Sequence, residues 1–375
     1  PAFGGVGWIC DAAILGMASP RFPTMTLVPY LTDPEDLAAL LPGEPSFRQA
    51  QLRDWLYRTP VPDAGAMTNL PQEVRDRLAP RLWPFGLEAE QIADAGTTRK
   101  WLFRTPDGAS IEAVLMGYSR RVTLCISSQV GCAMGCTFCA TGQFGFERHL
   151  LAGEIVAQVA YARAFLRAHG LPGSPDRVSN VVFMGMGEPL ANYEHLRESI
   201  RRMVEYMGIG ARAITVSTVG VVPGMRRLAE EPWRVGLAVS LHAADDATRD
   251  RIVPLNRRYP LRDVIDAARY FFDRTGRRVS IEWTLIAGTN DDDDQASRLA
   301  DIAHELRAHV NVIPLNATPL SPDRPPAAER TREFVAALAG HGVNATLRDT
   351  RGSDIDAACG QLRLRRATDP APDGR

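Results

Sequence analysis

From Val122 onward the sequence alternates short apolar runs with amphipathic stretches, and this rhythm limits the fold more than any other feature. The runs VTLCIS, VSNVVFMG, AITVSTVG, VGLAVSLHA, VSIEWTLIAG and VNVIPLNA are rich in β-branched residues. Between them lie stretches such as YEHLRESIRRMVEYM and LRDVIDAARYFFDRTG, with apolar residues at helical spacing. Apolar strands that alternate with helices pair in parallel, because the crossover between parallel strands is long enough to hold a helix that covers the sheet. The count is about six βα units, where a closed barrel needs about eight. The pattern therefore predicts an α/β fold built on an open, partial (βα)6 barrel.

In parallel sheets of this kind the chemistry collects beyond the C-terminal ends of the strands. Those ends carry a cysteine-rich loop, GMGEP (185–189), STVG (217–220), SLHA (240–243) and PLNATP (314–319). Polar and glycine-rich residues recur at one rim, which marks that rim as the candidate active site.

The rest of the chain divides around this core. Residues 25–88 read as a small helical domain: DPEDLAALL has an acidic start, SFRQAQLRDWLYR offers Ser46 as an N-cap, and LPQEVRDRL puts Pro71 in a first turn. Residues 89–121 read as linking β-strands, with TRKWLFR and SIEAVLMG joined by the turn signal TPDG. The barrel is expected over 122–350 and a separate C-terminal segment over 351–375. Residues 1–24, ahead of Met25, are read as a disordered or upstream extension in which Cys10 is incidental; they lack the basic start of a signal peptide and are too interrupted to span a membrane.

Apolar residues make up 45% and charged residues 23% of the chain, which excludes fibrous and disordered classes. With a formal net charge of −1, any phosphate-binding surface must be a local patch. The basic residues are arginines with one exception, Lys100. A GC-rich genome accounts for that bias, yet arginine forks suit phosphate, and Arg120/Arg121, Arg201/Arg202, Arg257/Arg258 and Arg363/Arg365/Arg366 are candidate contacts.

Six cysteines are too few to staple a chain of this length with disulfides, and four of them fall between positions 125 and 139. Cys132, Cys136 and Cys139 form a C-x3-C-x2-C loop directly after the first strand of the repeat. The C-x2-C half alone fits zinc, redox thiols or chance, and structural zinc would want a fourth soft ligand. Three thiolates suit a 4Fe-4S cubane with one iron left open. A strand cysteine such as Cys125, taken alone, reads as a small buried hydrophobe.

The full spacing, with Phe138 beside the last cysteine, resembles the radical S-adenosylmethionine (SAM) superfamily. RRVTLCISSQVGCAMGCTFCATGQFGFERHL, NVVFMGMGEPLANY, ITVSTVGVVPG, LAVSLHA, IPLNATP and RGSDIDAACGQL together resemble the RlmN/Cfr family of radical SAM RNA adenine methyltransferases, and most closely its adenine-C2 group. The resemblance covers about 40–362 and implies the rest of this reading. Cys132, Cys136 and Cys139 would hold the 4Fe-4S cluster. SAM would be bound by Gly187, Glu188, Ser217 (with Thr218 as the neighbouring alternative), Ser240, Leu241, His242 and Asn316. Cys359 would carry the methyl group as S-methylcysteine, Cys125 would release the product through a transient disulfide, and Glu112, a lone carboxylate in an apolar strand, would be the base, with a raised pKa.

The resemblance also implies 23S rRNA at the peptidyl-transferase centre and tRNA as substrates. It implies an electron donor such as flavodoxin or ferredoxin, and a monomer working in the cytoplasm without a membrane partner. The helical domain is assigned to reading RNA shape, because the barrel mouth is committed to cluster and cofactor. Two alternatives stand beside adenine C2: methylation at C8, the antibiotic-resistance activity, and a non-catalytic RNA-binding protein with a structural metal.

Overall fold

The computed structural model describes residues 27–316, 321–348, 352, 355–357 and 361–362. Cys359, the segment 1–24, and Arg363, Arg365 and Arg366 lie outside the described residues.

One ten-stranded sheet runs through the molecule. Its first strands, β1 (Gly86–Ala93), β2 (Thr98–Arg104), β3 (Ser110–Tyr118) and β4 (Arg121–Cys125), form an antiparallel meander. The TPDG turn closes β2 onto β3 as its chemistry predicts. Gly108 has φ +84°, and Thr105 donates its N–H to the Ala109 carbonyl at 2.8 Å. From β4 the sheet continues in parallel through β7 (Asn180–Phe183), β8 (Ile214–Thr218), β9 (Gly236–Ser240), β10 (Val279–Leu285), β11 (His309–Pro314) and β12 (Ala345–Leu347). A separate hairpin of β5 (Gln129–Gly131) and β6 (Phe146–His149) brackets the cysteine loop.

Each parallel crossover carries a helix. In chain order α3 (Ala140–Gln143) and α4 (Ala152–His169) follow β4, and α5 (Tyr193–Glu205), α6 (Val222–Glu230), α7 (Asp246–Ile252) with α8 (Leu261–Thr275), α9 (Asp293–Leu306) and α10 (Ala328–Gly340) follow in turn, after two helices, α1 (Phe47–Arg53) and α2 (Gln72–Leu78), near the N-terminus. Six strands followed by helices match the predicted count, and β12 adds a seventh parallel strand. Among the described residues no pairing closes the sheet, so the barrel is open.

Two local expectations change. Ser46 precedes α1 but makes no side-chain cap hydrogen bond, and its backbone is already helical. DPEDLAALL forms only a single 3-10 turn at Leu37–Leu40.

The N-terminal helices pack onto the barrel's own helices. Arg163 of α4 donates to the carbonyls of Tyr57 and Arg58, both at 3.1 Å, and Arg202 of α5 donates to the Tyr30 carbonyl at 3.0 Å. Arg202 is buried and paired with Glu198, so it serves the interior, while the half-buried Arg201 is paired with Glu198 and Glu205. A Cβ on Gly153 would sit 2.1 Å from the Tyr30 carbonyl oxygen, which explains a glycine inside a long helix. An aromatic group of Trp83, Phe85, Trp101, Phe103 and Tyr161 fills the junction with β2, the Phe85 and Phe103 rings stacking at 4.2 Å.

Candidate active site

The C-terminal strand ends converge on one cavity. Its lining includes Cys132, Cys136, Cys139, Gly187, Glu188, Ser217, Ser240, His242 and Asn316. Leu241 is not among the lining residues. Its side chain is in the main core, and its carbonyl accepts from Arg249 at 2.9 Å.

The cysteine loop is folded against its neighbours rather than extended into solvent. Cys132 donates its N–H to the Gly145 carbonyl at 2.7 Å, and Thr137 to the Ile252 carbonyl at the end of α7 at 3.1 Å. Burial pushes the Cys132 thiol up to about 12, and burial with the charges of Cys139 and Cys132 holds the Cys136 thiol well above its ordinary value. Among the described residues no three metal-binding side chains close into a ready-made cage.

GMGEP is held by contacts that require glycine. Gly187 has φ +101°, and a Cβ there would lie 2.5 Å from the Cβ of Gln129. Glu188, at the N-cap of a 3-10 turn, accepts from the Leu190 N–H through one carboxylate oxygen and from the Val219 N–H through the other, both at 3.0 Å. Burial nevertheless pushes its pKa up to about 7. Thr218 braces the loop after β8, its hydroxyl oxygen accepting from the Gly220 and Val221 N–H groups, while Ser217 lies 3.4 Å from Ser240, hydroxyl to hydroxyl.

His242 is the one cavity residue with a left-handed backbone (φ +61°) that is not glycine. Its Nδ1 accepts the Thr284 N–H at 2.9 Å, so the ring proton sits on Nε2. Burial, with Arg249 nearby, takes its pKa down to about 3, and the ring stays neutral.

Sequence reading missed Arg249. It lies on α7, fully buried, and donates to the carbonyls of Leu241 (2.9 Å) and Val219 (2.5 Å) and to Asn256 Oδ1 (2.8 Å). It thereby joins the β8 and β9 rim loops and places its charge near Cys136. Nothing in ATRDRIVPLN distinguishes it from the surface arginines around it.

Glu112 and Cys125 do not line this cavity. They lie on one face of the adjoining meander. Lys100 of β2 pairs with Val114 of β3, which pairs with Cys125 of β4, so these three side chains form a row. Glu112 stands two residues along on the same face. The expectation of a lone carboxylate is corrected: Lys100 Nζ contacts Glu112 Oε1 at 2.9 Å, with both side chains buried. The backbone of Glu112 is tied to the rim as well, its carbonyl accepting from Ser127 Oγ at 2.6 Å while Ser127 Oγ accepts from the Met186 N–H. Cys125 packs in an apolar cluster with Val114, Met186, Ala357 and Leu362. The last two flank position 359 in the sequence, and Thr141 of the cysteine loop donates to the Leu362 carbonyl at 2.8 Å.

Comparison with known proteins agrees with this geometry. Residues 126–300 match the family model described as the radical SAM superfamily, and residues 35–82 match the ribosomal RNA large subunit methyltransferase N-terminal domain. A probable dual-specificity RNA methyltransferase RlmN of Streptomyces griseus is 48% identical over 85% of this chain and 89% of its own length. The corresponding protein of Mycolicibacterium smegmatis is 49% identical over 85% and 90%. The chain belongs to the RlmN family of radical SAM RNA methyltransferases.

The crystal structure of a radical SAM methyltransferase from Sphaerobacter thermophilus has the same fold, with a TM-score of 0.84, 48% identity and coverage of 90% of this chain and 99% of that one. The family implies SAM and a 4Fe-4S cluster, and the donor set fits: three soft sulfur donors open onto one cavity, with the protons of Cys132 and Cys136 held on by burial and by neighbouring negative charge that a cationic cluster would relieve. Beside them, the Glu188 carboxylate faces the same cavity as an acceptor suited to a cationic amino group. No helix among the described residues is long and apolar enough to cross a membrane.

Proposed function

We propose that this chain methylates C2 of adenine in RNA, in 23S rRNA and in tRNA, through an S-methylcysteine at Cys359 and a transient Cys125–Cys359 disulfide. One observation carries the reading: Glu112 and Cys125 share a sheet face, and residues on both sides of position 359 pack with Cys125. A thiol and a carboxylate on such a face, with Cys359 between Ala357 and Leu362 in the sequence, suit a reaction in which the target base becomes covalently attached to the protein and must be released.

When bound, SAM and the cluster supply the methyl group and the radical that activates it. Cys132, Cys136 and Cys139 would hold the cluster. Glu188 would receive the cofactor's amino group, with Gly187, Ser217, Ser240, the backbone of Leu241, His242 and Asn316 completing its seat. Neutral His242 would offer its Nε2 proton as a donor. Glu112 would take the proton from the ring carbon once Cys359 is joined to it through the methylene, and the cluster, when bound, would supply the acceptor for the one electron that radical addition leaves on the ring. The Cys125 thiolate would then attack the Cys359 sulfur. The S–S bond forms as the S–C bond breaks, and the electron pair stays on the product carbon, which takes up a proton to become methyl.

On this reading the enzyme works as a monomer in the cytoplasm, fed by a flavodoxin- or ferredoxin-type donor, and the helical domain reads RNA shape. The target base must be unstacked before it reaches the sheet face. Cys125→Ala should accumulate a covalent protein–RNA adduct through Cys359, and Cys359→Ala should accumulate none. Absence of adduct from both variants, with iron and cofactor bound, refutes this assignment. Mass spectrometry of the nucleosides should yield 2-methyladenosine; 8-methyladenosine alone would transfer the chain to the C8 reaction.

A further inference from the structure

Forty-three basic residues occur in this chain and only one is lysine. That single ammonium, Lys100, is 2% exposed and sits in the middle of β2. Burying a lysine is costly unless the charge is paired and its protons are used. Here one ion pair and two hydrogen bonds meet it: Nζ lies 2.9 Å from Glu112 Oε1 and donates to the Ile355 carbonyl at 3.3 Å and the Asp356 carbonyl at 3.2 Å.

The acceptors come from two places far apart in sequence. Glu112 is on the neighbouring strand, while Ile355 and Asp356 stand just before position 359. Asp356 has φ +52°, a conformation that costs an ordinary residue about 1 kcal/mol. Its carbonyl is thereby turned to Lys100. The turn is closed by N–H bonds from Ile355 and Ala357 to the Gly352 carbonyl, at 3.2 and 2.9 Å, and Gly352 donates in turn to Asp94 just before β2. A carboxylate and two carbonyls gathered around one atom suit the compact charge of an ammonium. A planar guanidinium spreads its donors along a fork instead of gathering them at one atom. That difference supplies a chemical reason for lysine at the one position where the chain departs from arginine.

We propose that Lys100 is a positioning residue that docks the C-terminal cysteine segment onto the sheet face carrying Glu112 and Cys125. Through one atom it fixes the candidate base and the approach of the methyl-bearing segment relative to each other. The row Lys100–Val114–Cys125 gives the docking its register, since Ile355 and Asp356 are held at Lys100 while Ala357 and Leu362 pack with Cys125. The inference rests on the roles proposed above for Cys359 and Glu112.

Hydrogen–deuterium exchange on the full chain, with cluster reconstituted, tests it. In Lys100→Met and Lys100→Arg the Ile355 and Ala357 amides should exchange on the order of tenfold faster, the loss expected for a charge-assisted hydrogen bond. The amides of β10 and β11 should not change. The double variant Lys100→Met with Glu112→Gln leaves no buried charge stranded and guards against simple misfolding; it should show the same local loss. In a Cys125→Ala background, the Lys100 variants should form the protein–RNA adduct on the order of tenfold more slowly. Wild-type protection at Ile355 and Ala357 in both Lys100→Arg and the double variant overturns the proposal, whatever the RNA chemistry does. Glu112→Gln alone should keep the amides protected while product release fails. If Glu112→Gln releases product normally while the Lys100 variants lose protection, the assignment of the base is wrong and the docking stands.

Discussion

Gly187→Ala is a small change whose cost the structure makes large. The added Cβ would meet Gln129 at its Cβ (2.5 Å), Cγ (2.7 Å) and backbone nitrogen (2.8 Å), all closer than real Cβ contacts come. Gln129 cannot step aside cheaply. It is 1% exposed, its amide nitrogen lies 3.0 Å from His149 Nδ1, and its Oε1 accepts the Glu188 N–H at 2.8 Å. The backbone adds strain, because φ +101° is unfavourable for any residue with a Cβ. Left-handed strain of about 1–2 kcal/mol and overpacking of about 1–3 kcal/mol sum to about 2–5 kcal/mol. Much of that would be relieved by pushing the loop outward, which breaks the Gln129–Glu188 bond and moves the Glu188 carboxylate. SAM binding measured by equilibrium dialysis should therefore weaken by at least tenfold, alongside a lower thermal midpoint. A Gly187→Ala protein with wild-type SAM affinity and an unchanged midpoint would show that the close approach to Gln129 does not set the loop.

Three further outcomes follow from the same site. Glu188 has a folded pKa of about 7, above its ordinary 4.5, so its contribution to stability is full below about pH 4.5 and is lost as pH rises through 7. Cofactor-free wild type should lose on the order of 3 kcal/mol across that window, and Glu188→Gln should not; parallel pH–stability curves for the two proteins would contradict this. For Arg249→Met, two rim carbonyls lose their buried partner, at a cost of about 2–6 kcal/mol. Calorimetry should show the loss, with Arg249→Lys recovering less than half, because an ammonium cannot span Val219, Leu241 and Asn256 together. His242, held near a pKa of about 3, should remain neutral down to about pH 4, a state that NMR of the imidazole can read; a titration near 6.5 would refute the burial argument.

Much of the fold was legible in the sequence because it is local. A strand's β-branched run and a helix's apolar spacing are properties of neighbouring residues, and the six-unit count follows from them. The elements that escaped notice are α3, α7, β12 and the β5–β6 hairpin, which have too few residues to show a period, and β1, whose largely exposed GLEAEQIA carries no apolar run. In the site, the three cysteines and GMGEP were visible because their chemistry is packed into a few adjacent positions.

Sequence alone determined the chemical alphabet of this protein: three closely spaced thiols, a glycine-acid turn, and Cys125 and Cys359 far apart. Only tertiary structure decided which groups meet. Strand register brought Lys100, Val114 and Cys125 into one row and set Glu112 against an ammonium rather than leaving it alone. Packing turned Arg249, one arginine among many, into the buried clasp between two rim loops. These pairings depend on how segments tens to hundreds of residues apart are aligned, and the energy that aligns them comes from burying the whole sheet, which no local pattern encodes.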